Sequence, residues 1–180
     1  MLEIELKVQV DSLDPIREQL HKRNAQFSGR IHEHDIYYNA PHRDFGTTDE
    51  ALRVRYTNDR TVITYKGAKL AKYGLKAREE LNTVVESGNV FEQILVRLGF
   101  VKTEEVNKWR ENYRLENAAI ALDAVDELGT FVEIEVMTEA DGPDATEQIS
   151  MLAKEMGIIG EPILASYLEL LLSKRSGAQS

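Results

Sequence analysis

Two pairs of carboxylates stand two residues apart in segments where charged and aliphatic residues alternate. Glu3 and Glu5 form one pair, and Glu133 and Glu135 form the other. Side chains two positions apart in a β-strand point to the same face, so each pair presents both carboxylates together. Carboxylate oxygens are the hard ligands that Mg²⁺ or Mn²⁺ binds. The spacing therefore makes these residues candidate metal ligands.

Pairs of basic residues show the same spacing in other segments. Arg53 and Arg55 flank a valine, and Lys108 and Arg110 flank the only tryptophan of the sequence. Arg and Lys donate charge-assisted hydrogen bonds to phosphate oxygens, and Arg can do so in a bidentate way. If the acidic and basic faces converge on one interior, a metal-bound polyphosphate is a ligand that satisfies both signs of charge.

A solvated sheet is the simpler interpretation of any one of these alternating strands, because half-buried antiparallel sheets commonly expose one polar face to water. Five segments repeat the pattern, however, and their charged faces contain little Ser, Thr, Asn or Gln. The set as a whole favours antiparallel strands that close into a barrel. In such a barrel the charged residues lie inside, and the aliphatic residues lie outside under helices.

Segments with strand-like and helix-like patterns alternate along the chain, which predicts an α+β fold. We expect one domain over residues 1–175 and a frayed tail over residues 176–180, because no Pro/Gly/Ser-rich linker divides the sequence. Asp14 and Pro15 predict the beginning of one helix, and Asn89 is the predicted cap of a second helix.

A polar turn at residues 57–60 separates strand-like segments at 52–56 and 61–66. This arrangement predicts a β-hairpin. The last predicted helix runs from Ile163 to Lys174 and follows Pro162.

The charge balance excludes some classes of partner. Of 180 residues, 22 are Lys or Arg and 31 are Asp or Glu, which gives a formal net charge of −9. An acidic surface repels nucleic acids and anionic membranes, although it leaves open where the cations lie. The absence of Cys excludes disulfides and thiolate metal sites, and no signal peptide or membrane-spanning segment is apparent. We therefore expect a cytoplasmic protein.

The histidines and the tryptophan have simple structural interpretations. His32 and His34 stand two residues apart, which is more typical of a strand face than of a zinc site. Trp109 lies between Lys108 and Arg110, so it points to the opposite face of the strand. We expect it to pack beneath a helix.

Taken together, these segments resemble the CYTH, or triphosphate tunnel metalloenzyme, superfamily, which includes class IV adenylyl cyclases, thiamine triphosphatases and inorganic triphosphatases. Glu3-Ile4-Glu5-Leu6-Lys7 resembles the family's N-terminal Glu-x-Glu-x-Lys signature. Further motifs follow in the family's order: Leu52-Arg53-Val54-Arg55, Thr64-Tyr65-Lys66-Gly67, Arg78-Glu79-Glu80, Lys108-x-Arg110-x-x-Tyr113, Leu122-Asp123-x-Val125-x-x-Leu128-Gly129 and Phe131-Val132-Glu133-Ile134-Glu135. The resemblance covers nearly the whole chain.

The resemblance implies a closed antiparallel eight-stranded barrel that forms a tunnel, with Mg²⁺ or Mn²⁺ as cofactor. The implied metal ligands are Glu3, Glu5, Glu80, Asp123, Glu133 and Glu135. The implied triphosphate-binding residues are Lys7, Arg53, Arg55, Lys66, Arg78, Lys108 and Arg110. The implied catalytic residues are Glu5, Lys7, Lys108 and Arg110. For Arg78 and Glu80, a solvated ion pair is an equal alternative.

Two softer matches, His34-Asp35-Ile36-Tyr37-Tyr38 and Ser166-Tyr167-Leu168-Glu169-Leu170-Leu171, resemble the class IV adenylyl cyclase branch. That branch implies conversion of ATP to cyclic AMP and pyrophosphate, and it suggests a homodimer. A triphosphatase acting on inorganic triphosphate, thiamine triphosphate or a nucleoside triphosphate stays open, because the same cations and metals would serve it. A non-catalytic polyphosphate- or nucleotide-binding module is the third hypothesis.

Overall fold

The computed structural model describes residues 2–72, 75–138 and 143–177. The strands are β1 Leu2–Val10, β2 Gln26–Asn39, β3 Ala51–Tyr56, β4 Thr61–Lys66, β5 Leu70–Lys72, β6 Leu75–Arg78, β7 Glu80–Val85, β8 Val101–Leu115, β9 Ala118–Val125 and β10 Gly129–Thr138. The helices are α1 Asp14–Lys22, α2 Phe45–Thr48, α3 Gly88–Arg97, α4 Pro143–Glu155 and α5 Tyr167–Gly177. The α+β fold is therefore confirmed.

One antiparallel sheet contains the strand segments in the order β5-β6-β1-β10-β9-β8-β2-β3-β4-β7. The ladder thus has ten segments rather than the eight that we expected, and within the described residues its order has two ends. Glu79 alone separates β6 from β7. The terminal segment β7 at one end of the sheet is therefore a neighbour along the chain of β6, the second segment from the other end. The predicted hairpin is confirmed, since β3 pairs with β4 across residues 57–60.

The alternation in β1 places its aliphatic residues on the outer face of the sheet. Ile4, Leu6 and Val8 are buried in a cluster to which α1 and α4 contribute, for example through Leu20 and Ile149. Burying apolar side chains between a sheet and helices is the main stabilising contribution in such a layer. Because these helices cover the outer face, the charged residues of β1 are left for the opposite face.

Helix α3 covers the outer face of β2, β3 and β4. Its Leu95 packs in a buried cluster with Val54 and residues of the neighbouring strands. The hydroxyl of Ser87 accepts a hydrogen bond from the backbone N–H of Val90, so Ser87 caps this helix and our assignment of Asn89 was wrong. Ser87 has extended backbone angles, as a residue that precedes the first helical turn requires, whereas Asn89 is already helical.

Helix α5 differs from the others because it packs across the cavity-facing side at one end of the sheet. Tyr167 and Leu171 are buried against Tyr37, Val106 and Phe131, which lie on the same strand faces as the charged residues. These inward positions are apolar at this end, so they can receive a helix. The expectation that all helices lie outside the sheet is corrected for α5.

Helix α5 begins at Tyr167, and our predicted start at Ile163 was wrong. The N–H of Ile163 instead donates to the carbonyl of Lys7, which holds that residue in an extended segment. Ser166 and Glu169 form a capping box, in which each side chain accepts a hydrogen bond from the other residue's backbone N–H. The helix includes residues 176 and 177, and residues 178–180 of the predicted tail lie outside the described residues.

Trp109 is 42% exposed, so the expectation that it packs beneath a helix was wrong. It points to the outer face, as predicted, but there the guanidinium of Arg30 lies 4.6 Å from the centre of its ring. The ring of His32 lies 5.0 Å from it, and His34 pairs with Glu105. The two histidines therefore belong to a strand face, as predicted.

Candidate active site

A cavity of about 310 Å³ opens on the inner face of the sheet, and residues from seven strands line it. The strands contribute alternate residues, as their period of two requires. The cations of the lining are Lys7, Arg53, Arg55, Arg60, Lys66, Lys108 and Arg110. The acids are Glu5, Glu33, Asp35, Glu80, Glu133 and Glu135. The structure therefore brings most of the predicted site residues into one cavity.

On one side of the cavity, carboxylates outnumber cations. We call this side the acidic wall and define it by Glu5, Lys7, Glu133, Glu135 and Arg110. The pairing of β1 with β10 sets Glu5 opposite Glu135 and Lys7 opposite Glu133. The ammonium nitrogen of Lys7 lies 3.3 Å from a Glu5 oxygen and 3.2 Å from a Glu133 oxygen. Lys7 thus bridges two carboxylates on neighbouring strands.

Arg110 completes the acidic wall and is held from behind. Its guanidinium donates to both oxygens of Asp123, over 2.8 and 2.5 Å, and it also contacts Glu133. Asp123 is fully buried, and it accepts a further hydrogen bond of 2.8 Å from the hydroxyl of Tyr167. Burial alone would lower the pKa of Arg110, but Asp123 and Glu133 hold it well above its usual value. These contacts indicate that Asp123 positions the guanidinium of Arg110.

In the neighbouring part of the cavity, which shares strand β8 with the acidic wall, cations outnumber carboxylates. We call this part the basic wall and define it by Glu33, Asp35, Arg53, Arg55 and Lys108. Arg55 donates to both oxygens of Asp35 over 2.6 and 2.8 Å, and it lies 3.0 Å from Glu33. Lys108 lies 2.5 Å from Glu33 and 3.7 Å from Asp35. Two carboxylates are therefore shared among three cations.

The two walls shift the pKa values of their lysines in opposite directions. Burial lowers the pKa of Lys7, but the charges of Glu133 and Glu5 outweigh this and raise it above its usual value. For Lys108, burial and the charge of Arg55 together lower the pKa, and its carboxylate partners do not compensate. Burial raises the pKa of Glu33, but the neighbouring cations, Lys108 first, lower it to about 2.

Lys66 and Glu80 form an ion pair where β4 meets β7. The cation partner of Glu80 is therefore Lys66 and not the Arg78 of the ion-pair alternative, and both Lys66 and Glu80 line the cavity. The predictions for the side chains of Glu3 and Arg78 lie outside the described residues; the backbone of β1 sets these two residues opposite each other.

The sequence analysis missed Glu33 and Asp35. They have the same spacing of two residues as the other acidic pairs, and this signal could have identified them. The neighbouring His32 and His34 made both faces of β2 polar in the sequence, so the contrast between faces was lost. Arg60 was missed because it lies in the hairpin turn.

The carboxylates of the acidic wall fit a divalent metal ion by their chemistry. Glu5, Glu133 and Glu135 offer only oxygen donors, which suits Mg²⁺ or Mn²⁺. Within residues 2–72, 75–138 and 143–177, no three acidic or histidine side chains are already grouped as a metal centre. Because the ammonium of Lys7 lies between Glu5 and Glu133, a metal ion there would take over carboxylates that now hold a lysine.

The chain is similar over nearly its whole length to several known proteins. A Methanocaldococcus jannaschii protein, named as a candidate adenylate cyclase, is 36% identical over 173 residues, which cover 94% of this chain and 98% of that protein. A Pyrococcus horikoshii structure is 37% identical, with a TM-score of 0.86 and coverage of 96% of this chain and 99% of that one.

No helix in the described part of the chain is long and apolar enough to span a membrane.

A third relative shares the fold at lower identity. It comes from Hippeastrum and is named as a candidate adenylyl cyclase with a dominant triphosphatase activity. It is 20% identical, with a TM-score of 0.71 and coverage of 96% of this chain and 95% of that one. Finally, the family model described as the CYTH domain matches residues 1–167. The chain therefore belongs to the CYTH domain family.

Proposed function

We propose that this protein is a metal-dependent enzyme that acts on a triphosphate inside its sheet, and that it is an adenylyl cyclase. The observation that carries the proposal is the cavity itself, which is lined by an acidic wall and by a basic wall that adjoins it at strand β8. Cations there can bind phosphate oxygens while carboxylates bind the accompanying metal ion. The family's relation to triphosphates and the name of the Methanocaldococcus relative support the same proposal.

The same proposal includes a closed tunnel. Strand β6 pairs with β1 and strand β7 pairs with β4, and Glu79 alone separates β6 from β7. Read as one strand, residues 75–85 would link β1 to β4, so that eight strands, not counting the short edge segment β5, surround the cavity. A closed sheet would exclude bulk water and strengthen each charge interaction with the substrate.

Binding would proceed by exchange of partners. Arg55 and Lys108 are held by Glu33 and Asp35. Phosphate oxygens would compete for these cations and for Arg53 and the other basic residues of the lining. On the acidic wall, Glu5, Glu133 and Glu135 would hold the metal ion. Triphosphate and metal would therefore bind together more favourably than separately.

In the cyclase reaction, the ribose 3′-oxygen forms a bond to the α-phosphorus, and the bond from this phosphorus to the bridging oxygen breaks to release pyrophosphate. Arg110 and Lys108 would stabilise the charge that develops on the leaving pyrophosphate. A carboxylate of the lining outside this metal-binding set would accept the proton of the 3′-hydroxyl. When bound, a divalent metal supplies Lewis-acid charge to the phosphate oxygens. The reaction needs no covalent enzyme intermediate.

Triphosphatase activity is the second candidate, and the activity named for the Hippeastrum relative favours it. The same walls would hold the substrate, but water would attack the terminal phosphorus instead of the 3′-hydroxyl attacking the α-phosphorus. A non-catalytic module would use the same cations and bind triphosphate without turnover.

Analysis of products separates these candidates. The protein is incubated with ATP, inorganic triphosphate or thiamine triphosphate, each with Mg²⁺ or Mn²⁺, and the products are resolved by chromatography. We expect cyclic AMP and pyrophosphate from ATP. Orthophosphate with ADP, or orthophosphate from the other substrates alone, would instead identify a triphosphatase. Binding without any product would identify the non-catalytic module.

A further inference from the structure

The charged cavity has two ends that differ in how they meet the surface. At one end, helix α5 lies on the inner face of the sheet, and Tyr167 packs against Phe131. Towards the other end, the inward-facing residues of β2 become more exposed. Asp35 and Glu33 are buried, but Ile31, the next inward residue, is half-buried. The cavity therefore opens to solvent at the end that α5 does not cover.

The turn between β3 and β4 lies at this open end. Thr57, Arg60 and Val62 of the hairpin all line the cavity. At about 3.3 Å per residue, Thr57 lies roughly 7 Å beyond Arg55 along the chain. We call this end the hairpin mouth and define it by Ile31, Thr57, Arg60 and Val62.

Arg60 is exposed, and the turn fixes its backbone. The N–H of Thr57 donates to the carbonyl of Arg60 over 3.0 Å. The hydroxyl of Thr57 donates to a carboxylate oxygen of Asp59 over 2.9 Å, so the carboxylate that precedes Arg60 in the sequence is held by Thr57. The turn therefore presents the guanidinium of Arg60 at the hairpin mouth without pairing it to its acidic neighbour.

Arg60 differs in its partners from the other cations of the cavity. Within residues 2–72, 75–138 and 143–177, no carboxylate pairs with its guanidinium. Ion pairs hold each of the six other cations, which are Lys7, Arg53, Arg55, Lys66, Lys108 and Arg110. An anion that binds one of these six must compete with a carboxylate. An anion that binds Arg60 meets no such competition from the described residues.

We propose that Arg60 captures the triphosphate at the hairpin mouth before the deeper cations exchange their carboxylate partners. Its guanidinium donates charge-assisted hydrogen bonds to a phosphate group of the arriving ligand. The phosphate chain then reaches Arg55 and Arg53, whose carboxylate partners it replaces. This inference rests on the proposed function, and it adds the residue that sets the rate at which the anion enters the cavity.

Three variants test the capture step. Arg60→Gln removes the charge at the hairpin mouth, and Arg60→Lys keeps it. Arg97 is an exposed arginine of α3 that does not line the charged cavity, so Arg97→Gln is a control with the same change in net charge. Because Arg60 is exposed, its replacement leaves no buried group unpaired, and we expect all three variants to fold. Thermal unfolding checks this.

The probe is the imido analogue of inorganic triphosphate with Mg²⁺, whose P–N–P bridges resist cleavage. Calorimetry gives its dissociation constant, and ³¹P NMR line shapes give its dissociation rate. The ratio of the dissociation rate to the dissociation constant is the association rate constant. The measurements are made at low ionic strength and again at about 1 M salt, where the Debye length is only about 3 Å.

We expect Arg60→Gln to lower the association rate constant about threefold to tenfold at low ionic strength, because a charge at the rim of a site acts mainly on association. The difference should disappear at about 1 M salt, where exposed charges are screened. Arg60→Lys should associate within about twofold of the unaltered protein, and Arg97→Gln should associate at its rate.

The other outcomes separate failure of the inference from failure of the proposed function. An unchanged association rate in Arg60→Gln, equal slowing in Arg97→Gln, or an effect on dissociation alone would overturn capture by Arg60 and leave the triphosphate site standing. A lysine variant as slow as the glutamine variant would do the same. If the unaltered protein does not bind the analogue, the proposed function itself is overturned, and the inference falls with it.

Discussion

Lys7 and Lys108 are buried to nearly the same extent in the acidic and the basic wall of one cavity, at 3% and 2% exposure, but they differ in electrostatic environment. Lys7 lies between two carboxylates, and its pKa is raised above its usual value because Glu133 and Glu5 outweigh the effect of burial. The pKa of Lys108 is lowered because burial and Arg55 outweigh its acidic partners. Burial alone therefore does not set the pKa of these lysines. The excess charge of the surrounding wall decides whether the pKa is raised or lowered.

The difference indicates that the two walls are suited to opposite ligands. The acidic wall holds its cation tightly and presents an excess of carboxylates, which suits a metal ion. The basic wall holds more cations than its carboxylates can neutralise, which suits an anion. The predictions below test this contrast, beginning with the largest expected effect.

Removing each lysine compares the walls directly in the ligand-free protein. Lys7→Met removes the buried ammonium that bridges Glu5 and Glu133 while Arg110 still contacts Glu133, and we expect it to lower the free energy of unfolding by about 3–5 kcal/mol. Lys108→Met relieves repulsion among cations while Arg55 still holds the acids, so we expect a loss below about 1.5 kcal/mol. Denaturant unfolding measures both. Equal losses would show that the walls do not differ.

Glu5→Gln tests the acidic wall as a metal site. Replacing one charged oxygen ligand should lower metal-dependent kcat by about 10²–10³-fold, while unfolding measurements show that the fold is retained. Glu18→Gln on the exposed face of α1 is the control and should leave kcat unchanged. Full activity of the Glu5 variant would remove Glu5 from the metal site.

Glu33 should make the basic wall sensitive to acid. Its pKa in the folded protein is about 2, below the ordinary value of 4.5, because neighbouring cations outweigh burial. The stability that it contributes is therefore complete above pH about 4.5 and is lost as the pH falls through about 2, which amounts to about 3 kcal/mol. Measured across this range, Glu33→Gln should lose less stability on acidification than the unaltered protein. Parallel pH profiles would contradict the assignment.

The exchange of partners predicts coupling between metal and triphosphate. Saturating Mg²⁺ should raise the affinity for the imido analogue of inorganic triphosphate by about 5–150-fold, because each ligand takes over groups that the other leaves unpaired. Calorimetry with and without Mg²⁺ measures the ratio, and Glu5→Gln should reduce it. A ratio near one, or one that Glu5→Gln leaves intact, would argue against exchange.

The faces of the strands could be predicted because side-chain alternation is a local property. The acidic and basic pairs were found from their spacing, and the structure lines one cavity with Glu5, Lys7, Glu133 and their counterparts. The partner of each charge could not be predicted. Lys7 contacts Glu133 because of the register between β1 and β10, and that register depends on strands far apart in the sequence.

Other differences came from competing local signals. Pro162 suggested an early start for the last helix, but the capping box of Ser166 and Glu169 fixes its beginning. Glu33 and Asp35 were hidden by the histidines between and beside them. Trp109 was expected to pack under a helix because the alternation of side chains places it on the outer face. The alternation does not indicate which parts of that face a helix covers.

The contact between Lys7 and the segment before α5 has a consequence for folding during synthesis on the ribosome. Lys7 donates to the carbonyl of Ala165, which is 158 residues later in the chain. Strand β1 is synthesised early, but its partner β10 and this carbonyl emerge much later. Pairing over such separations also makes folding slow. A nascent chain that lacks the segment around Ala165 therefore lacks one hydrogen-bond partner of Lys7, so the surroundings of this lysine are completed only when the last part of the chain has been synthesised.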